Sequence, residues 1–252
     1  MSFAVPAEAY DRFMGVHSRQ LAPQLIDLAR LTPGDKVLDV GCGPGALTTE
    51  LVARVGAASV SAVDPSESFV AAVRARHPGI DVQLAAAEAL PYDDGVFDAA
   101  LAQLVVHLMA DPTAGLREMV RVTRPEGVVA ACVWDFAGER APLSTFWRAV
   151  NELGLDVRDE SALAGAREGH LLQLLAAADL RQIEDTTLVA RVEYASFDEW
   201  WEPFGFGVGP AGALFQKLDA SQRDRVRANC RDLLPPAPFE IVSVAWAARG
   251  TV

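Results

Sequence analysis

The stretch VLDVGCGPGALTTEL, residues 37–51, runs from an apolar strand pattern into Gly41, Gly43 and Gly45 and then into a helical pattern. Glycines in such a turn let the backbone reverse sharply and approach a ligand with no Cβ in the way. Asp64 ends the next strand pattern about twenty residues beyond the last glycine, where a carboxylate accepts hydrogen bonds from both hydroxyls of a ribose. Strand, glycine turn, helix and acid together describe a nucleoside-containing ligand lying across the carboxyl ends of the strands.

Outward from this unit the alternation continues. Short apolar runs at 36–40, 59–64, 81–85, 97–103 and 127–134 predict strands, and 46–55, 66–77 and 112–122 predict helices. Asp111 before Pro112 is a helix start with a physical cause, since the Asp accepts from orphan amides and Pro at the first position loses no needed donor. Strands that are apolar on both faces, alternating with helices, predict a doubly wound α/β fold with a parallel sheet covered on both sides. Upstream, 18–31 carries Leu21, Leu25 and Leu28 at helical spacing, with Pro23 expected to start or bend the helix.

After Trp134 the pattern changes. Helices are predicted at 142–153, 170–178 and 221–234, the last stopped by Pro235 and Pro236, and strands at 185–194 and 240–248. Between those two strands lies an aromatic insert, FDEWWEPFGFGVGP, residues 197–210.

Composition excludes several classes. The chain has 252 residues, 51% apolar, with a formal charge of −12 and a sequence pI near 4.7. That is enough apolar material for a large core, and it lacks the clustered Lys and Arg that displace nucleic-acid counterions. The N-terminal residues lack a signal-peptide pattern, and no apolar run approaches the roughly 20 residues that span a bilayer. Cys42, Cys132 and Cys230 have no CxxC spacing, so reduced thiols and no metal site are expected. These features predict a cytoplasmic protein, monomer or homodimer, acting on a small molecule, with no nucleic-acid or membrane partner.

Gly41, Gly43 and Ala46 also satisfy the dinucleotide pattern GxGxxG/A, so two nucleoside ligands compete. Asp39 lies just ahead of the turn, poorly placed for a pyrophosphate and well placed for an ammonium group, and Pro44 removes an amide donor that an anion would want. The ordered segments DVGCGPG (39–45), VDPSESFV (63–70), AAAEALPYDDGVFDAALAQLVVHLMADP (85–112) and RVTRPEGVVAACVW (121–134) resemble the successive motifs of class I S-adenosylmethionine-dependent methyltransferases, close to the ubiquinone-biosynthesis-type small-molecule branch. The resemblance covers roughly residues 10–135 and, in element order, continues through the last two strands. It implies a Rossmann-like, mostly parallel seven-stranded sheet in one methyltransferase domain. A helical cover (1–33) would precede the cofactor core (34–135), followed by a cap with the sixth strand (136–239) and the last strand (240–252).

Carried over residue by residue, the resemblance implies that Asp39, Gly41 and Gly43 border the methionine moiety of S-adenosylmethionine and that Asp64 binds its ribose, with Pro65 and Ser66 flanking the adenine. Ala86 replaces an Asp that often reaches the adenine, leaving that contact to the Ala87 amide and Glu88. Gln103 ends the fourth strand where the family offers a carbonyl to the ammonium, and YDRFMGVHSR (10–19) resembles a mobile cover from which Tyr10 or Arg19 could reach the cofactor carboxylate. Glu126 stands where the family usually has glycine, away from the expected ligand.

Methyl transfer from a sulfonium has a good leaving group, so positioning and desolvation carry most of the catalysis. A proton acceptor is needed only when the nucleophile enters protonated. His107 follows the fourth strand near the expected acceptor and could take that proton; packing between helix and sheet is its alternative. His17, His77 and His170 are expected to be structural. Trp200, Trp201, Phe204 and Phe206 are candidates for an apolar substrate lid, with a satellite core as the alternative. The rival functions are a nicotinamide-dependent oxidoreductase and a non-catalytic S-adenosylmethionine-binding protein.

Overall fold

A computed structural model describes residues 7–155 and 159–252. The expected cover and cap therefore include residues 1–6 and 156–158, which lie outside the described residues. The strands are β1 (Val37–Val40), β2 (Val60–Asp64), β3 (Asp81–Leu84), β4 (Phe97–Gln103), β5 (Thr123–Trp134), β6 (Arg181–Tyr194) and β7 (Phe239–Thr251). They form one seven-stranded sheet in the order β3-β2-β1-β4-β5-β7-β6. β1 to β5 pair in parallel, and β7 runs antiparallel between β5 and β6. This is the doubly wound, mostly parallel fold read from the sequence.

The helices are α1 (Ala7–Tyr10), α2 (Val16–Ala29), α3 (Ala46–Val55), α4 (Glu67–Arg76), α5 (Pro112–Val122), α6 (Ser144–Glu152), α7 (His170–Ala177), α8 (Phe197–Trp201), α9 (Gly209–Lys217) and α10 (Ala220–Leu233). One sheet face packs on α2 and α3 through Leu21, Leu25, Leu47, Leu51, Leu101 and Ala130. The other packs on α5 and α7 through Leu116, Met119, Leu171, Leu175, Ala100 and Val129. Asp111 caps α5 by accepting from the Ala114 amide at 3.0 Å, and Asp219 and Gln222 form a reciprocal capping box on α10.

Two expectations change. Pro23 neither starts α2 nor is preceded by a break, because the helix begins at Val16 and carries Pro23 inside it. The carbonyl left unpaired by its missing N–H belongs to exposed Arg19, where water can reach it. β5, β6 and β7 are longer than predicted. The added residues of β6, from Arg181, are largely exposed and polar, so they carry no apolar signal and are strand only through pairing with β7. Glu126, at φ +63°, occupies a left-handed position that suits the glycine expected there.

Helix α2 also closes the sheet. Gln24 donates to the Val189 carbonyl at 2.8 Å and accepts from its amide at 3.1 Å, and Gln20 does the same at Arg191 at 2.7 and 2.9 Å. These side chains satisfy the outward backbone of edge strand β6, which would otherwise offer a pairing template.

Candidate active site

At the end of β1 the chain enters the glycine turn. Gly41, Gly43 and Gly45 have φ of +71°, +52° and +98°. A Cβ on Gly41 would lie 2.5 Å from the Val105 side chain, so the turn is pressed against the segment following β4. Two carboxylates frame it. Asp64 accepts from the Gly43 amide at 2.9 Å and the Ser66 amide at 2.8 Å. Burial raises its pKa, opposed by those two amides. Asp39 is 1% exposed and accepts from the Thr48 hydroxyl at 2.6 Å, while its Oδ1 has no partner. Burial, opposed by Thr48 and reinforced by Asp64, pushes its pKa up to about 7.

The N-terminal segment lies over this turn. Tyr10 packs edge-on against Phe69 at 5.6 Å. Burial and then the nearby Asp64 and Asp11 carboxylates raise the pKa of its phenol. Arg19 is half exposed and meets Asp11 at 3.6 Å. Arg76 instead reaches the glycine turn, donating to the Pro44 carbonyl at 2.7 Å and meeting Asp11 at 3.2 Å. It thereby clips the cover to the turn. A basic residue in the last turn of a helix reads as solvated surface, so nothing in the sequence singled Arg76 out.

The alternation of side chains along the strands places Asp39, Gln103, Trp134 and Tyr194 on the sheet face covered by α2, at its carboxyl edge. Gln103 donates to the Ser18 carbonyl at 3.1 Å. His17, 3% exposed, bonds through Nε2 to the Tyr194 hydroxyl at 3.0 Å and lies edge-on to Trp134 with ring centroids 6.4 Å apart. Gln103 Oε1, Trp134 Nε1 and His17 Nδ1, like Asp39 Oδ1, have no partner. Leu104, immediately after Gln103, is a buried bulky residue at φ +60°, a local strain of the kind found where a site over-determines its backbone.

His107 lies on a short helical turn after β4 and is 8% exposed. Its ring is 5.7 Å from Phe136, its Nδ1 is unpaired, and burial lowers its pKa to about 4. His17 titrates down to about 4 for the same reason. His17, expected to be structural, buries an unpaired Nδ1 beside its bond to Tyr194. His77 instead meets the Thr49 hydroxyl at 2.9 Å on the surface, and His170 Nδ1 accepts from the Gly165 amide at 3.2 Å.

Around the expected adenine, Ala87 is buried, Ser66 is half-buried and Pro65 is exposed. Glu88 Oε1 accepts from the Ala110 and Asp111 amides at 2.7 and 3.2 Å, so this oxygen fixes the loop before α5. The aromatic insert divides differently from the expected lid. Trp200, Trp201 and Phe204 are buried with Phe13, Phe146, Trp147, Phe197 and Phe239 in a second core under α6 and α10. Phe204 is stacked on Phe146 at 4.6 Å. Phe206 is half-buried beneath the Arg12 guanidinium, 4.9 Å from its ring centre. The satellite-core alternative describes the first three better than the lid does.

Residues 38–131 match the methyltransferase domain family, the segment that carries the quoted motifs. A demethylmenaquinone methyltransferase of Mycolicibacterium vanbaalenii is 46% identical over 105 residues, 41% of this chain and 43% of that protein. The chain thus spans less than half the length of this curated relative. The YcgJ protein of Bacillus subtilis superposes with a TM-score of 0.61 over 91% of this chain and 97% of its own, at 19% identity. A geranyl diphosphate methyltransferase solved in complex with S-adenosylmethionine gives 0.53 over 93% and 85%, at 16% identity. At such identities the likeness establishes the fold.

Proposed function

We propose that this chain, which has the class I methyltransferase fold and matches the methyltransferase domain family over residues 38–131, transfers a methyl group from S-adenosylmethionine to a small-molecule acceptor. One observation carries the choice of cofactor. Asp39 Oδ1 and Gln103 Oε1, on neighbouring strands at the carboxyl edge, are buried acceptors with nothing to accept from. An unmatched buried acceptor costs about 1–3 kcal/mol. An ammonium group, which only donates, answers both; a pyrophosphate would face them as a like charge. Asp64 would hold the ribose, and Tyr10 would cover it.

When bound, S-adenosylmethionine supplies a methyl group on a sulfonium whose departure leaves a neutral thioether. The protein's part is to orient the ammonium at Asp39 and Gln103, exclude water beneath the cover, and present the acceptor beside Trp134. His107 flanks the same edge and is a proposed acceptor-side residue. The three cysteines are buried and unpaired, which suits a reducing, cytoplasmic setting. Among the described residues no helix is long and apolar enough to cross a membrane.

Calorimetry is expected to show binding of S-adenosylmethionine and S-adenosylhomocysteine and none of NAD. Tighter binding of NAD would transfer the reading to an oxidoreductase. Asp64→Ala should weaken S-adenosylmethionine by about 2 kcal/mol, roughly thirtyfold, because two ribose hydroxyls lose a charged acceptor. The Gly43 and Ser66 amides lose theirs as well. An unchanged dissociation constant would remove Asp64 from the site.

A further inference from the structure

Beyond Gln103, the row of polar side chains continues away from the proposed ammonium subsite. Trp134 ends β5, Tyr194 ends β6, and His17 descends from α2 between them. His17 and Trp134 are 3% and 1% exposed, yet each buries a polar nitrogen without a partner. The two nitrogens are chemically complementary when His17 takes its Nε2–H tautomer. Indole Nε1 only donates. With His17 Nε2–H donating to Tyr194 Oη at 3.0 Å, Nδ1 presents a lone pair and only accepts. A group that satisfies both must accept from one and donate to the other, as a hydroxyl does. The two rings are neighbours, edge-on with centroids 6.4 Å apart.

We propose that His17, oriented by Tyr194, is the proton acceptor for a hydroxyl-bearing methyl acceptor, and that Trp134 Nε1 and His17 Nδ1 together select that hydroxyl. This rests on the methyltransferase reading above and names its acceptor class, a phenol or enol. Burial keeps the imidazole neutral at physiological pH and makes it a weak base, so it matches an acidic hydroxyl better than an aliphatic alcohol. As the acceptor oxygen forms its bond to the methyl carbon, the carbon–sulfur bond breaks with its electron pair remaining on sulfur. The O–H bond breaks with its pair remaining on oxygen, and the proton passes to His17 Nδ1. The resulting imidazolium is held through Nε2–H by Tyr194 Oη until the proton leaves to water. The positive charge lost at sulfur reappears on His17, so the step balances.

Binding alone tests the selection. At about pH 6, where para-nitrophenol is mostly un-ionised, it and para-nitroanisole have similar shapes, but only the phenol can donate a hydrogen bond. In the presence of S-adenosylhomocysteine the phenol is expected to bind about tenfold more tightly. That preference should vanish in His17→Phe and Trp134→Phe, with each variant's folding checked by its melting temperature. Tyr194→Phe keeps the imidazole but removes its anchor. It should reduce the preference and shift the ring nitrogen-15 signals of His17 away from the Nε2–H tautomer, a readout to use if His17→Phe does not fold. Equal affinity for the two probes, no binding of para-nitrophenol, or a preference retained in a folded His17→Phe would overturn the proposal. So would Tyr194→Phe leaving both the preference and the nitrogen-15 signals unchanged. Calorimetry separates the two levels: absence of S-adenosylmethionine binding sinks the methyltransferase reading. Intact cofactor binding without phenol selection sinks only the role of His17 and Trp134.

Discussion

Asp39→Asn is expected to lower the affinity for S-adenosylmethionine about a hundredfold at roughly pH 8, the largest loss from any single change around the glycine turn. A charge-assisted hydrogen bond contributes on the order of 1.5–3 kcal/mol, and here the acceptor is buried, already oriented by Thr48, and has one oxygen unspent. The effect should depend on pH. Burial raises the Asp39 pKa to about 7, so below that value the carboxyl is protonated and must lose its proton to receive the ammonium. Affinity should therefore rise with pH and level off above about 7, and the slope should disappear in Asp39→Asn. The unliganded protein should show the opposite trend in stability. The folded state holds this proton more tightly than the unfolded chain, so the Asp39 contribution declines from the ordinary carboxyl value of 3.8 up to about 7 and is constant beyond it. Calorimetry across this range reads the first effect, and melts of wild type and variant read the second. A flat affinity profile in the wild type would take the ammonium away from Asp39.

The largest loss of stability is expected from Phe204→Ala. Phe204 is fully buried and touches rings from three directions: Phe146 stacked at 4.6 Å, and Phe13 and Trp200 edge-on at 5.0 and 5.1 Å. Truncating a buried phenylalanine costs about 3–5 kcal/mol, which for a chain of this size lowers the melting temperature on the order of 10 °C. The fraction that remains folded should bind S-adenosylmethionine nearly as wild type does, because Asp39, Asp64 and Gln103 lie outside the second core and of the proposed cofactor residues only Tyr10 packs against it. A small change in melting temperature would mean that the insert is held loosely enough to act as the expected lid.

The cofactor half was legible because its signals are local. Gly41, Gly43 and Gly45 all have positive φ, Asp39 lies two residues before them, and Asp64 ends the next strand after one helix. The acceptor half was not, because it is assembled from residues far apart in the chain. His17 and Tyr194 are 177 positions apart yet share a hydrogen bond, and each alone looks like an ordinary core residue. The aromatic insert kept two readings, lid or satellite core, for a related reason. Trp200, Trp201 and Phe204 have the composition of a lid, and only the packing of α6, α10 and Phe13 around them reveals a core. The early residues of β6 are polar and were invisible as a strand until β7 supplied their partner.

The position of β7 governs how the molecule is made. It is the last strand in sequence, but it fills the gap between β5 and β6. During synthesis β5 waits with one side unmatched while more than a hundred residues of cap, helix and β6 emerge. β5 lacks its second strand neighbour, and β6 its first, until Phe239–Thr251 has left the ribosome. Contacts of such long sequence separation form late and slowly, and the incomplete sheet exposes unpaired backbone in the meantime. β7 is thus the keystone of the sheet: a nascent chain stopped before it would lose the pairing that joins β5 to β6.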